Sequence, residues 1–451
     1  MKSHRLRNSI FIFILAVVVL AIVVLLGAFR STSVAPQAKE PLAAQDEQLL
    51  IKKGRELVLA GDCMGCHSQP KGPQAAGGVP IDTPFGTIHS TNISPDKKYG
   101  IGSYTREDFH RVLRDGVAPG NRNLYPAMPF VFTHITTPDD IDAIYAYLMS
   151  IEPMPVPNKD NTGVFTLPVR PFMNFWTLFN FPDRQAPQAD GHSEQWTRGA
   201  YLVEGLAHCA ACHTPRNFMM GVDFKRHFQG GEVDGLDIPS ITPAILAKRG
   251  FDVPTLSQYL QTGIAPQGTS FAGMHTVTHF STSAMDSDDV EAMATYLLTN
   301  AQGTLEQPAA APEPLPAAVD LDTTDMQVGR KVYMAACAGC HGLEGEGVPN
   351  VSPALKGNGI IAMDSAKDTI DVVLNGIPTE RFTGYKRMYE MPPFAHRLND
   401  EEVADLVTWV RAEWGGQSTP VTPKDVHAIE SSMHIERTQD YCETCSRPLD
   451  D

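Results

Sequence analysis

A chain of 451 residues is long enough for about three domains of ordinary size, each burying its own core. Hydrophobic residues make up 42% and charged residues 20%, a globular balance that excludes collagen-like or wholly disordered chains. The net charge of -16 excludes a nucleic-acid-binding role, because a phosphate backbone is bound by an excess of Lys and Arg.

Lys2, Arg5 and Arg7 precede an uncharged stretch of 20 residues from Ile10 to Phe29. At ~1.5 Å rise per residue, a helix of that length spans about 30 Å, the thickness of a hydrocarbon core. Residues 1–30 therefore read as a membrane anchor or signal segment. The anchor is favoured, since signal-peptide apolar regions are shorter and "GAFRSTS" is a poor cleavage site. The positive-inside rule then keeps the N-terminus in the cytoplasm. The rest of the chain is expected on the periplasmic side of the inner membrane, where disulfides are permitted.

From residue 46 the chain uses one unit three times. "GRELVLAGDCMGCH", "GAYLVEGLAHCAACH" and "GRKVYMAACAGCH" each combine a helix-like segment, a glycine near its start and the pattern Cys-x-x-Cys-His. The cysteine pairs are Cys63 and Cys66, Cys209 and Cys212, and Cys337 and Cys340, followed by His67, His213 and His341. This pattern is the signature of c-type haem attachment: two thiols add to the vinyl groups of one porphyrin, and the adjacent imidazole binds its iron. A thioredoxin-like or zinc Cys-x-x-Cys is the alternative for one isolated match, but not for three with shared flanks. Three covalently attached haem c groups are expected.

Downstream, each copy has an amphipathic segment closing on a glycine, Gly116, Gly263 or Gly376, as suits the left-handed residue after a helix. Each ends in a helix with an expected capping box: Thr137 with Asp140, Asp286 with Asp289, and Asn399 with Glu402. Ten residues after each cap stands an aromatic, Tyr147, Tyr296 or Trp409.

The sixth iron ligand sits between those two landmarks. "LYPAMPF" offers Met128 and "YEMPPF" offers Met391, each in a proline-bounded loop, with Met388 as the local competitor of Met391. In copy two, Met274 lies 61 residues after His213, the separation of Met128 from His67, whereas Met285 would require 72. Met274 is chosen, with His275 and His279 as other possible ligands. Pro95, Pro243 and Pro353 are candidates for the carbonyls that orient the three histidines.

The expected fold class is all-α: three tandem cytochrome c domains after an N-terminal transmembrane helix. The domains run 46–151, 192–300 and 325–415, joined by a linker over 152–191 and a proline-rich linker over 301–324. The first linker carries the aromatic run from Phe172 to Phe181, which either packs against the first two domains or meets a partner or membrane interface. The tail, 416–451, holds the remaining cysteines, Cys442 and Cys445, followed by Ser446 and hence unable to ligate a fourth haem. A local disulfide is expected there, with a zinc site completed by His427 and His434 as the alternative.

These stretches, together with "TPFGTIHSTNISPD", "GIGSYTREDF", "FQGGEVDG", "FMNFWTLF" and "MPPFAHRLNDEEVADLVTWVR", resemble the triheme cytochrome c subunit of membrane-bound bacterial alcohol and gluconate dehydrogenases. The likeness covers nearly the whole chain after the anchor. It implies an electron-transfer subunit of a dehydrogenase complex. A separate catalytic subunit would oxidise an alcohol, sugar acid or aldehyde with pyrroloquinoline quinone, flavin or molybdopterin. The electrons would pass to ubiquinone or a terminal oxidase, and the family's methionine ligands fall on Met128, Met274 and Met391. No dinucleotide fingerprint, P-loop or G-x-S-x-G occurs in the chain, so no catalytic residue is assigned. The other readings are a carrier bound to a terminal oxidase and a haem enzyme with one open iron.

Overall fold

What closes each copy is a helix crossing at a glycine. The computed structural model describes residues 44–182, 184–233, 235–308 and 324–432, together with Val18. In copy one, α1 (Ala44–Ala60), α2 (Arg106–Asp115) and α3 (Pro138–Ser150) pack around Leu57, Val58, Phe109, Leu113, Ile141 and Ile144, all buried. A Cβ at Gly54 of α1 would fall 1.9 Å from the Ala143 carbonyl oxygen, so only glycine permits this approach.

An aromatic helix, α4 (Phe172–Asn180), follows copy one. Copy two uses α5 (Glu194–Glu204), α6 (Val253–Thr262), α7 (Ala272–Phe280) and α8 (Ser287–Leu298). Copy three uses α9 (Thr324–Ala336), α10 (Lys367–Asn375) and α11 (Asp400–Gly415), with α12 (Pro423–Ser432) behind them. The crossing recurs: a Cβ at Gly199 would lie 1.9 Å from the Ala292 oxygen, and one at Gly329 2.2 Å from the Asp405 oxygen. Tyr147 and Trp409, two of the aromatics expected after the caps, pack beside Gly54 and Gly329.

The described residues form two compact units. The first holds copy one and the segment that follows it to Pro187, with Glu204–His208 and Phe218–Gly221. The second holds the rest of copy two and copy three. Within the second, copies two and three touch directly. The Asp237 amide donates to Asp368 Oδ1 at 3.0 Å, Lys367 pairs with Glu232 at 3.3 Å, and Arg249 lies against Gly359.

The expected fold class needs two corrections. The described residues are not all helical: they include five two-stranded antiparallel ribbons. The Gly- and Pro-rich stretches between helices cannot satisfy their backbone groups within a helix and pair across short turns instead. Pro80–Thr83 pairs with Gly86–His89, and Thr83 Oγ1 bonds across that turn to the Gly86 carbonyl at 2.7 Å. The expected transmembrane helix is also not found: among the described residues no helix is long and apolar enough to cross a membrane. The longest, α1 with 17 residues, is too short for about 30 Å of hydrocarbon and carries Asp46, Glu47, Lys52, Lys53, Arg55 and Glu56. The stretch from Ile10 to Phe29 lies outside the described residues apart from Val18, as do 309–323 of the second linker and the tail from 433, with His434, Cys442 and Cys445.

The caps differ from expectation in an instructive way. Asn399 and Glu402 form the full capping box, whereas Thr137 receives the Asp140 amide and Asp286 receives that of Asp288 rather than Asp289. Asp140 instead meets Lys53 at 2.5 Å, and Asp289 grips Arg198 through two bonds of 2.7 Å. Both cations immediately precede the crossing glycine. In copy three Val328 stands there, and Glu402 turns back on its own helix end.

The first linker is not a free spacer. Asn92 Nδ2 donates to the carbonyls of Met154 and Val156, and the Thr87 amide donates to Thr162 Oγ1 at 2.9 Å. In α4 the usual polarity is inverted: Asn174, Thr177 and Asn180 are buried, while Phe172, Leu178 and Phe179 are exposed. Trp176 Nε1 donates to the Met219 carbonyl at 2.9 Å, so one aromatic packs inward while three apolar side chains do not.

Candidate haem centres

Each Cys-x-x-Cys-His forms a single helical turn, which places the two sulfurs and the imidazole on one side of it. The His213 amide donates to the Cys209 carbonyl at 3.0 Å and the His341 amide to that of Cys337 at 2.9 Å, drawing the imidazole beside the first cysteine. In each of the three pairs the first cysteine is half-buried and the second exposed. Burial pushes the Cys63 thiol up to about 12 and that of Cys337 up to about 11, so both are held neutral.

The histidines share one hydrogen bond. His67 Nδ1 lies 2.6 Å from the Thr91 carbonyl, His213 Nδ1 2.7 Å from that of Pro239, and His341 Nδ1 3.0 Å from that of Pro353. A carbonyl can only accept, so Nδ1 carries the proton in all three and the Nε2 lone pair is left for a metal. Burial lowers the pKa of His67 and His341, and takes His213 down to about 4 against the pull of its carbonyl bond. All three are therefore neutral imidazoles, the form that ligates iron. The donor set fits three covalent haems.

Of the prolines expected to orient these rings, only Pro353 does so. In copies one and two the acceptor lies four residues earlier, Thr91 before Pro95 and Pro239 before Pro243. The equal offset in "STNISP" and "PSITP" is readable in the sequence: in both, the carbonyl four residues before the proline is the one that bonds the histidine.

The methionines are placed as follows. Met128 ends a tight turn whose amide donates to Tyr125, half-buried, with Phe130 two residues on. Met391 is half-buried and bonded through both its backbone groups to Ile377. Met274 is the third residue of α7, also half-buried. The competitors Met285 and Met388 are both buried. His275 is buried with its ring stacked 5.5 Å from His279.

His427 is exposed, with Asp400 and Glu430 at 3.7 and 3.9 Å, so its described neighbours are carboxylates. The other residues of the zinc alternative, His434, Cys442 and Cys445, lie outside the described residues.

Comparison with known proteins agrees with this chemistry. The cytochrome c family profile matches residues 51–152 and 326–414, the first and third copies. The chain is 34% identical over 408 residues to the gluconate 2-dehydrogenase cytochrome c subunit of Pantoea cypripedii, covering 88% of this chain and 92% of that one. It is 32% identical to the alcohol dehydrogenase (quinone) cytochrome c subunit of Gluconobacter oxydans, covering 86% and 84%. It is 31% identical to the fructose dehydrogenase cytochrome subunit of Gluconobacter japonicus, covering 89% and 86%.

Proposed function

From the premise that the chain belongs to the family of cytochrome c subunits of gluconate, alcohol and fructose dehydrogenases, we propose that it is a triheme relay. It takes electrons from a catalytic dehydrogenase subunit using pyrroloquinoline quinone, flavin or molybdopterin, and passes them to ubiquinone or a terminal oxidase. The observation that carries the count is the threefold occurrence of one turn, with Nδ1 of His67, His213 and His341 each bound to a backbone carbonyl. Cys63, Cys66, Cys209, Cys212, Cys337 and Cys340 supply the thioethers. Met128, Met274 and Met391 would each supply a sulfur ligand to one iron.

Covalent haem c supplies a one-electron iron couple whose potential a thioether ligand raises. The protein's part is to hold the ligands: carbonyls fix the histidine tautomers and packed loops hold the methionines. We place the haem domains on the periplasmic side of the inner membrane, where the catalytic subunit and the acceptor are both within reach.

The count is tested by intact mass and haem assay of the purified protein. Three haems per chain are expected, falling to two when Cys209 and Cys212 are both replaced by Ala. Carbon monoxide is not expected to bind the reduced protein stoichiometrically, since a histidine and a methionine would together close each iron. Isolation of the complex with its large subunit, identified by mass and cofactor, tests the partner.

A further inference from the structure

In copy one, the space beyond the glycine that ends the middle helix is filled from within. A Cβ at Gly116 would fall 2.6 Å from the Phe130 ring, and Phe130 stands two residues past Met128. The same offset from Met274 in copy two reaches Thr276, which cannot fill such a space. The space is nevertheless occupied. A Cβ at Gly263, the matching glycine with φ of 70°, would fall 2.7 Å from the ring of Phe382, a residue of copy three.

Phe382 is only 7% exposed, and its ring stands 4.9 Å from that of His275, edge to face at 80°. His275 directly follows Met274 on α7. The ring thus touches both ends of the segment that carries the copy-two methionine: the glycine before it and the residue after it. Ser270 ties the same segment together, its amide donating to the Gly263 carbonyl at 2.7 Å and its hydroxyl pairing with Thr278 at 2.9 Å.

Phe382 reaches this place on a hairpin, Glu380–Phe382 paired with Lys386–Met388. The base of the hairpin is held in copy three, where the Tyr389 amide donates to the Val351 carbonyl at 2.9 Å and Ile377 pairs with Met391. One end of the ribbon therefore lies at the Met391 loop and the other in the Met274 segment.

We propose that Phe382 is a positioning residue for Met274: copy three supplies in trans the aromatic plug that copy one supplies itself as Phe130. The plug seats the ligand segment of copy two, so the docking of copy three sets the strength of the Met274 thioether bond to iron. This rests on the assignment of Met274 as the copy-two ligand.

The test uses the full-length holo-protein. Phe382→Ala weakens one thioether bond of three, so the long-wavelength sulfur-to-iron charge-transfer band of the oxidised protein loses about a third of its intensity. One of three midpoint potentials falls with it, because the thioether is what raises that potential, and the other two stay in place. Phe382→Leu keeps apolar bulk in the slot, gives a smaller loss in the same direction, and is the variant to read should the alanine protein fail to accumulate with its haems. Met274→Leu identifies the band and potential of copy two. If Met274→Leu leaves the band at full intensity, the ligand assignment fails and the role of Phe382 with it. If Met274→Leu removes that intensity while neither Phe382 variant moves the same band or potential, the assignment stands and the positioning role is overturned.

Discussion

Copies one and two share a helix crossing, a Cys-x-x-Cys-His turn and a methionine 61 residues after its histidine, yet they complete the methionine segment differently. Copy one is self-contained: Phe130 packs over Gly116, and Thr133 donates to the Leu113 carbonyl at 2.6 Å. At the matching Gly263, copy two brings a hydroxyl, Ser270 Oγ, in place of a ring, and the aromatic comes from copy three as Phe382. A repeated sequence unit need not be a repeated structural unit. Where copy two has Thr276 at the offset of Phe130, Phe382 of copy three packs into the gap, and the two copies form one packed body.

The largest effect expected is on the self-contained copy. Phe130 is 1% exposed, so Phe130→Ala leaves a large cavity and costs about 3 to 5 kcal/mol, read as a lower denaturant midpoint of the first unit. The potential that Met274→Leu identifies should not move in that variant.

Next come the two glycines beneath the plugs. Gly116→Ala and Gly263→Ala each force a Cβ into an aromatic ring at φ of 66° and 70°, and each should cost about 1 to 3 kcal/mol. Gly263→Ala should speed hydrogen exchange in the 380–388 hairpin of copy three, whereas Gly116→Ala should leave that hairpin protected.

The contact between copies two and three also carries a pH signature. Burial pushes the Asp368 carboxyl, which accepts the Asp237 amide, up to about 6. A folded value above the unfolded one means its contribution is fully present below about pH 4 and lost as pH rises through about 6. Asp368→Asn, which cannot ionise but still accepts the amide, should raise stability at pH 7 by on the order of 1 kcal/mol and change little near pH 4. Equal melting shifts at both pH values would break the assignment.

The smallest effects belong to the ion pairs at the crossings. Arg198→Ala should cost about 0.5 to 1 kcal/mol in low salt, less in high salt, and Lys53→Ala no more than that, since both cations are partly exposed. Copy three, with Val328 at the matching position, has no such pair to lose there.

Much of this was legible from residue order alone. Haem attachment needs only neighbours in sequence, so Cys63, Cys66 and His67 and their counterparts could be read as a motif. Helix-ending glycines are local too, and Gly116, Gly263 and Gly376 all take positive φ. The ribbons were missed because helix periodicity says nothing about loops whose polar groups must pair across a turn. Yet the 15 residues from Gly376 to Met391, against 12 from Gly116 to Met128, marked the longer hairpin that carries Phe382.

The sequence by itself determined the cofactor chemistry, the number of copies and the order of their helices, because these depend on short spacings and on the pattern of apolar residues along one segment. The tertiary structure alone shows which carbonyl orients each histidine, which acid caps a helix and which crosses to a cation, and whose aromatic packs against Gly263 and His275. The long-range choices join atoms 12 to more than 100 residues apart, as with His341 and Pro353 or His275 and Phe382, where close packing and the need to satisfy buried polar groups select the partner.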